Sequence, residues 1–171
     1  IEKYKNDERI ILWDLYNEPG AANRQQVTMK HLKKFFEIAR EVDPIQPLTS
    51  ALWRGEQIIS GEYDELHAFM LENSDIISYH SYSTYEDNIR QIRRLKEYGR
   101  PIVNSEWLGR CLHNTVQEMF PLFYLEKIGC YNWGFVAGKY QTYEPSQVVW
   151  LKYQEQGYDA VKHIDFTKWQ H

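Results

Sequence analysis

The chain lacks several features that would assign it to a specialised class. It has only two cysteines in 171 residues, Cys111 and Cys130, and their spacing indicates neither a metal-ligand cluster nor a disulfide framework. No apolar stretch reaches the roughly 20 residues needed to span a bilayer. No basic block is present, and the net charge of −4 is unsuited to binding phosphates. We therefore expect neither a membrane nor a nucleic acid as partner.

Aromatic residues, in contrast, are abundant. They make up 15% of the chain, with 6 Trp and 13 Tyr. Such an excess is typical of a large core, and it also suits a carbohydrate site, because sugar C–H faces stack on flat rings. Composition alone favours the core explanation, and the length allows one domain with a substantial core.

Short apolar runs alternate with amphipathic stretches along the chain. The apolar runs predict strands over residues 10–16, 47–53, 76–82, 102–107 and 131–136. Helical periodicity predicts helices over residues 25–42, 63–71, around 89–95, and 115–128, the last capped by Gly129. Strand and helix units of about 30 residues, repeated in this order, imply a parallel sheet with helices outside. Because an eight-stranded barrel takes about 250 residues, five units fit either an open α/β sheet or a barrel without its first three strands.

Side chains suited to catalysis or binding fall on one predicted strand after another, mostly at its carboxyl end. In chain order they are Asn17 and Glu18, Trp53, His80 and Tyr82, Glu106 and Trp107, and Trp133. In an α/β barrel this end of the strands carries the active site, whereas the opposite end serves stability. Five strands in succession are a much stronger indication than one.

Two of these residues, Glu18 and Glu106, are the pair that glycoside hydrolysis requires. One carboxyl group must donate a proton to the leaving oxygen, and the other must be ionised to attack the anomeric carbon. Pro19 fixes the turn after Glu18. His80 and Tyr82 share a strand face by two-residue alternation, and a tyrosine hydroxyl beside a carboxylate would keep it ionised and oriented.

Each residue also has an ordinary structural explanation. A glutamate before a proline often complements a helix dipole, and a Glu-Trp pair at a strand end is often only part of the rim. His80 alone is more often a hydrogen-bonded strand residue, and Trp133 alone is more often part of a core. Their combined order on successive strands favours the catalytic interpretation.

The motifs resemble those of a known group of enzymes. Residues 13–20, Trp-Asp-Leu-Tyr-Asn-Glu-Pro-Gly, resemble the fourth strand of the glycoside hydrolase clan that includes the cellulases and mannanases of family 5. Residues 102–107, Ile-Val-Asn-Ser-Glu-Trp, resemble its seventh strand. The tripeptide at 80–82 is similar to the His-x-Tyr of its sixth strand, and Trp133 matches the tryptophan of its eighth. The resemblance covers roughly residues 8–140.

The resemblance implies a fold and a catalytic pair. The chain would form strands 4 to 8 of a (β/α)8 barrel, in a retaining enzyme whose carboxyl groups lie roughly 5–5.5 Å apart. Glu18 would protonate the glycosidic oxygen and then activate water. Glu106 would form the covalent glycosyl-enzyme.

The resemblance also implies the residues that bind the carbohydrate substrate. Asn17 would hydrogen-bond the sugar 2-hydroxyl near the nucleophile. Tyr82 would orient the nucleophile, and His80 would bond a neighbouring group or the sugar. The tryptophans that would stack on sugar rings are Trp133, Trp53 and Trp107.

The sequence departs from the pattern of the clan at both ends. The first three strands are absent, so residues 1–171 are expected to be a fragment of one catalytic domain. Because two strands would then have open edges, we expect a missing N-terminal barrel segment or a second chain as partner, and no activity without it. Residues 141–165 are expected to form an insertion in the last βα loop, and residues 168–171 to begin the final barrel helix.

Three alternatives stay open. A non-catalytic carbohydrate-binding relative ranks lower, because both carboxylates are present. A phosphate-binding barrel would need a glycine-rich loop near the last strands, and Gly134 and Gly138 are too sparse for one. A metal enzyme would need a ligand cluster, for which His80 with Glu106 is thin support. We therefore expect no metal and no cofactor.

Overall fold

The structure, a computed structural model, describes residues 1–134 and 147–168. The strands in these ranges are β1 (Trp13–Asp14), β2 (Leu48–Thr49), β3 (Ile77–His80), β4 (Ile102–Glu106) and β5 (Gly129–Cys130). The α-helices are α1 (Gln25–Val42), α2 (Gly55–Ser60), α3 (Glu65–Asn73), α4 (Tyr85–Lys96), α5 (Val116–Glu126) and α6 (Gln147–Gln156). Short 3₁₀ turns occupy Glu2–Tyr4, Ala21–Asn23, Arg110–Leu112 and Tyr158–Ala160.

The strands form two small sheets. In the first, β1 pairs with β2 in parallel, with Trp13 opposite Leu48 and Asp14 opposite Thr49. The second has the strand order β3-β4-β5. A parallel bridge joins Leu52, just after β2, to Tyr79 in β3. The chain is therefore an α/β protein with parallel strands in two small sheets.

The chain divides into two compact units. The first comprises Ile1–His80 and Gln91–Val103, and the second comprises Ser81–Arg90 and Asn104–His171. The first unit therefore contains β1, β2, β3 and helices α1 to α3, while the second contains β5, α5 and α6.

Helix α1 shows how the sequence builds the first unit. Its buried residues recur at helical spacing, at Thr28, Leu32, Phe36 and Ala39. Phe36 packs edge-on against Phe69 of α3, with ring centroids 5.8 Å apart. The helix ends where Asp43 adopts a left-handed φ of 53°, just before a proline. The prediction of a helix over residues 25–42 is confirmed.

The region around β5 differs from the prediction. The strand occupies Gly129–Cys130 rather than residues 131–136, of which 135 and 136 lie outside the described residues. The prediction that Gly129 caps the preceding helix is wrong. Helix α5 ends at Glu126, and Lys127 takes the left-handed φ of 57° while its N–H contacts the carbonyls of Phe123 and Tyr124. The chain thus turns two residues earlier and frees Gly129 for the strand.

The second unit has a small apolar cluster of its own. Cys111, Val161 and Ile164 are buried together, and Leu112 and Val149 pack against them. Both cysteines are free, and burial raises the pKa of each thiol. Within the described ranges, no helix combines the length and the apolar character needed to cross a membrane. The expected start of a final helix, at residues 168–171, falls almost entirely outside the described residues.

Candidate active site

Glu18 lies in a tight turn in the first unit. Its φ of 44° is in the left-handed region, which costs a residue with a side chain on the order of 1 kcal/mol or more. The Glu18 carbonyl accepts a hydrogen bond from the N–H of Ala21 at 3.2 Å. Gly20 has a φ of 83°, and a Cβ atom there would lie 2.6 Å from Cδ2 of the buried Leu66. The turn therefore packs closely against α3, and a side chain at position 20 would require Leu66 to shift.

His80, the last residue of β3, contacts the carboxylate of Glu18. Its Nδ1 lies 2.9 Å from Oε1 of the glutamate. The imidazole is only 3% exposed, whereas the carboxylate is 31% exposed. The backbone N–H of His80 donates to the carbonyl of Leu52 at 2.7 Å, and this bond fixes the main chain that carries the imidazole. Because Nδ1 donates in one tautomer and accepts in the other, the same contact suits both protonation states of Glu18.

Trp53 contacts the same turn through its ring nitrogen. Its indole N–H donates to the carbonyl of Pro19 at 2.9 Å. The Arg54 guanidinium lies over the indole ring, 5.0 Å from its centroid, and the ring of His67 is 5.7 Å away. The sequence predicts Trp53 as a sugar-stacking residue, but the structure places it against the main chain next to Glu18.

Glu106 and Tyr82 meet in the second unit. The tyrosine hydroxyl donates to Oε2 of Glu106 at 2.9 Å. The backbone N–H of Ser81 donates to the carbonyl of Glu106, also at 2.9 Å. Both the side chain and the main chain of Glu106 are thus hydrogen-bonded by the tripeptide that begins at His80. A donated hydroxyl hydrogen bond favours and orients a carboxylate.

The three other predicted site residues lie in different surroundings. Asn17 is exposed beside Glu18. Trp133 is 42% exposed, and its N–H donates to the Trp107 carbonyl at 3.0 Å. Trp107 itself is only 3% exposed and packs edge-on against Phe123, with ring centroids 5.3 Å apart. Trp133 therefore has exposed surface for a sugar to contact, whereas Trp107 is a packing residue in this structure.

A polar cluster that was not predicted from the sequence lies beside Trp53. Asp64 accepts hydrogen bonds from Arg54 at 3.0 Å, from Gln57 at 3.3 Å and from the backbone N–H of His67 at 2.8 Å. Burial raises the pKa of Asp64, but the bonds from His67 and Gln57 outweigh it and leave the pKa below its usual value. Burial lowers the pKa of His67, so its imidazole is neutral at pH 7. The Asp64-x-x-His67 spacing of an N-cap was the one local signal for this cluster.

Comparison with known proteins adds no assignment. No model of a protein family matches this chain, and no curated protein matches it.

Proposed function

We propose that this chain carries the catalytic pair of a retaining glycoside hydrolase that cleaves β-linked glycans or glycosides. Glu18 is the acid/base and Glu106 is the nucleophile. The observation that supports this most strongly is that alternate residues of one tripeptide contact the two carboxylates. His80 contacts Glu18, and Tyr82 contacts Glu106, each at 2.9 Å.

The covalent chain supports a shared site. In an extended segment, residues i and i+2 project to the same side and lie about 6.6 Å apart. The amides of His80 and Ser81 donate to Leu52 and Glu106 respectively, which is the alternating pattern of extended chain. The proposal is that the carboxylates of Glu18 and Glu106 flank one sugar ring in the active protein. The proposal requires a separation of about 5–5.5 Å in the active protein, which is typical of retention.

The proposed reaction has two steps. In the first, Glu18 gives its proton to the glycosidic oxygen while Oε1 or Oε2 of Glu106 attacks the anomeric carbon, so the C–O bond to the leaving group breaks and an ester forms. In the second, Glu18 takes a proton from water, and the resulting hydroxide displaces Glu106. Two inversions at the anomeric carbon give net retention. The contact from His80 accommodates both charge states of Glu18.

The proposed fold is an incomplete (β/α)8 barrel, with β1 to β5 as strands 4 to 8. Closing such a barrel requires three more parallel strands, since a barrel has no open edge. We propose that an N-terminal segment of the same polypeptide, or a second chain, supplies them.

We choose the proposed substrate contacts by the exposure of the side chains to solvent. Trp133 has enough free surface to stack on a sugar, and Asn17 is exposed beside the acid/base. Trp107 is left out of the proposed sugar contacts because its ring is buried against Phe123. The proposed partner is thus a carbohydrate.

The test uses the longest natural polypeptide that contains residues 1–171. It is screened on aryl β-glycosides and on β-glucan, mannan and xylan. Glu18→Gln and Glu106→Gln should each lower kcat/KM on the glycan at least about 100-fold, because each removes a group needed in the transition state. Glu41→Gln, at an exposed position on α1, is the matched control and should leave activity unchanged.

The stereochemistry of the first product provides the second part of the test. NMR of the fresh product should show the β anomer. Activity retained in both glutamine variants would reject the site, and an α product would reject the retaining mechanism. Sugar binding without hydrolysis by the complete protein would favour the non-catalytic alternative.

A further inference from the structure

We propose that Trp53 is a positioning residue for Glu18 and not a platform for sugar. This inference rests on the proposed acid/base role of Glu18. Its structural basis is the hydrogen bond from the indole N–H of Trp53 to the carbonyl of Pro19, at 2.9 Å. That carbonyl belongs to the residue directly after Glu18.

The turn at Glu18 needs external support. Its φ of 44° is unfavourable for a residue with a side chain, and Pro19 has no N–H with which to form a turn hydrogen bond. A backbone in such a conformation persists only when its surroundings fix it. The surroundings here include the bond from Trp53 and the packing of Gly20 on Leu66. The bond to Pro19 is thus one of the contacts that set the direction of the Glu18 side chain, together with those from Ala21 and His80.

The position of the Trp53 ring is itself fixed by neighbouring side chains. The Arg54 guanidinium covers its ring at 5.0 Å, and Asp64 fixes that guanidinium through a 3.0 Å ion pair. Asp64 is fixed in turn as the N-cap of α3, where its side chain accepts from the N–H of His67. A path of direct contacts therefore runs from the start of α3, through the Arg54–Asp64 pair and the indole, to the Glu18 turn.

The same contacts argue against sugar stacking. Stacking requires an open ring face. The Arg54 guanidinium lies over one face of the Trp53 indole, and the buried ring of His67 also packs against the indole, with ring centroids 5.7 Å apart. The indole N–H of Trp53 already donates its hydrogen bond to the main-chain carbonyl of Pro19. Trp53 therefore acts on Glu18 indirectly, through its hydrogen bond to the carbonyl of Pro19.

This role predicts a selective defect. Proton donation from Glu18 matters most when the leaving group is poor, because a good leaving group departs without a proton. A displacement of the carboxyl group by about 1 Å can cost up to 100-fold in rate. Trp53→Phe removes the N–H but keeps an aromatic ring. It should lower kcat/KM for a phenyl β-glycoside about tenfold or more, and for a dinitrophenyl β-glycoside less than about twofold.

The experiment compares these two substrates in the longest natural polypeptide that contains residues 1–171. Trp13→Phe is the matched control, because it also removes one indole N–H bond, to Gln46 at 3.0 Å, away from the Glu18 turn. It should affect both substrates alike. If Trp53→Phe does not fold, 3-benzothienylalanine at position 53 keeps the bicyclic ring and replaces only the N–H.

The outcomes separate the two proposals. An equal loss on both substrates, or no loss, in the folded Trp53 variant overturns the positioning role. Glu18→Gln is measured in parallel and should show the same selectivity, with a larger loss on the phenyl glycoside. If Glu18→Gln shows no selective loss, the acid/base assignment itself fails, whatever the Trp53 variant does.

Discussion

Nδ1 of His80 lies 2.9 Å from Oε1 of Glu18, although 62 positions separate the two residues in the chain. The contact joins the carboxyl end of β3 to the turn that follows β1. The imidazole is almost wholly buried, and the backbone N–H of His80 donates a hydrogen bond to the carbonyl of Leu52. The glutamate, in contrast, is partly exposed. His80 is therefore the fixed partner, and it limits the positions that the Glu18 carboxylate can adopt.

His80→Phe should impair the proposed acid/base step. The substitution keeps a ring of similar size and removes the nitrogen that contacts Glu18. We expect kcat/KM on glycans to fall by about 10- to 100-fold, since an orienting contact to the proposed general acid is lost. His31→Phe, on the exposed side of α1, provides the control. Unchanged kinetics in a folded His80→Phe protein would mean that the contact has no role in catalysis.

Tyr82→Phe should produce a different kinetic pattern. It removes the 2.9 Å bond to Oε2 of Glu106, the proposed nucleophile. Because the nucleophile acts on every substrate, kcat/KM should fall about tenfold or more for good and poor leaving groups alike. Tyr85→Phe changes an exposed tyrosine on α4 and should have no effect. A loss confined to poor leaving groups would indicate that Tyr82 serves the acid/base instead.

The sequence predicted the helices better than the short strands. The boundaries of α1 follow from one apolar stripe and a following proline, which are local signals. The end of α5 could not be predicted this way, because Lys127 rather than a glycine adopts the left-handed conformation. Closure into a barrel is not a local property either, and it stays a proposal.

Strand alternation predicted that His80 and Tyr82 share a face. The structure shows that His80 contacts Glu18 and that Tyr82 contacts Glu106, while their catalytic roles stay a proposal. The same rule puts neighbours on opposite faces, so Glu106 and Trp107 could not both face a substrate. The contact of Trp53 with Pro19 joins residues 34 positions apart, and no periodicity in the sequence indicates it.

Gly20→Ala should destabilise the chain through a steric clash. The new Cβ would lie 2.6 Å from Cδ2 of Leu66, at a φ of 83°. Gly61 has almost the same backbone conformation, with φ 77° and ψ 9°, and a Cβ atom there would lie no closer than 3.4 Å to the Arg94 side chain. Gly61→Ala therefore has the conformational cost without the clash. We expect a loss of unfolding free energy in urea of about 1 kcal/mol for Gly61→Ala and about 2–4 kcal/mol for Gly20→Ala.

Adding Leu66→Ala to Gly20→Ala tests the cause of that difference. The double variant should lose less stability than the sum of the two single variants, because the clashing methyl group is gone. Additive losses would show that the close approach of Gly20 to Leu66 is not what requires glycine.

Asp75 should make stability depend on pH. Burial raises its pKa, but hydrogen bonds from Arg40 and from the N–H of Leu48, each 2.8 Å long, lower it below the usual value. Since the folded pKa lies below the unfolded pKa of about 3.9, the stabilisation is present above pH 4 and is lost as pH falls through the folded pKa.

Asp75→Asn tests this dependence. Because the ion pair is partly exposed, we expect the variant to lose only about 1 kcal/mol of unfolding free energy at pH 7. The difference from the parent protein should shrink at pH 2.5, as measured by urea unfolding. Asp159→Asn, at an exposed site, should show no such dependence. An equal difference at both pH values would mean that the charge of Asp75 is not involved.

The most direct test of the proposed mechanism is to trap the covalent intermediate. A dinitrophenyl 2-deoxy-2-fluoro-β-glycoside of the preferred sugar is incubated with the longest natural polypeptide that contains this chain, and the digested protein is examined by mass spectrometry. The label should be on Glu106, as an ester that is released slowly with restored activity. A label on another residue, or rapid hydrolysis of the parent glycoside by a protein that never becomes labelled, would contradict the assignment of Glu106 as the nucleophile.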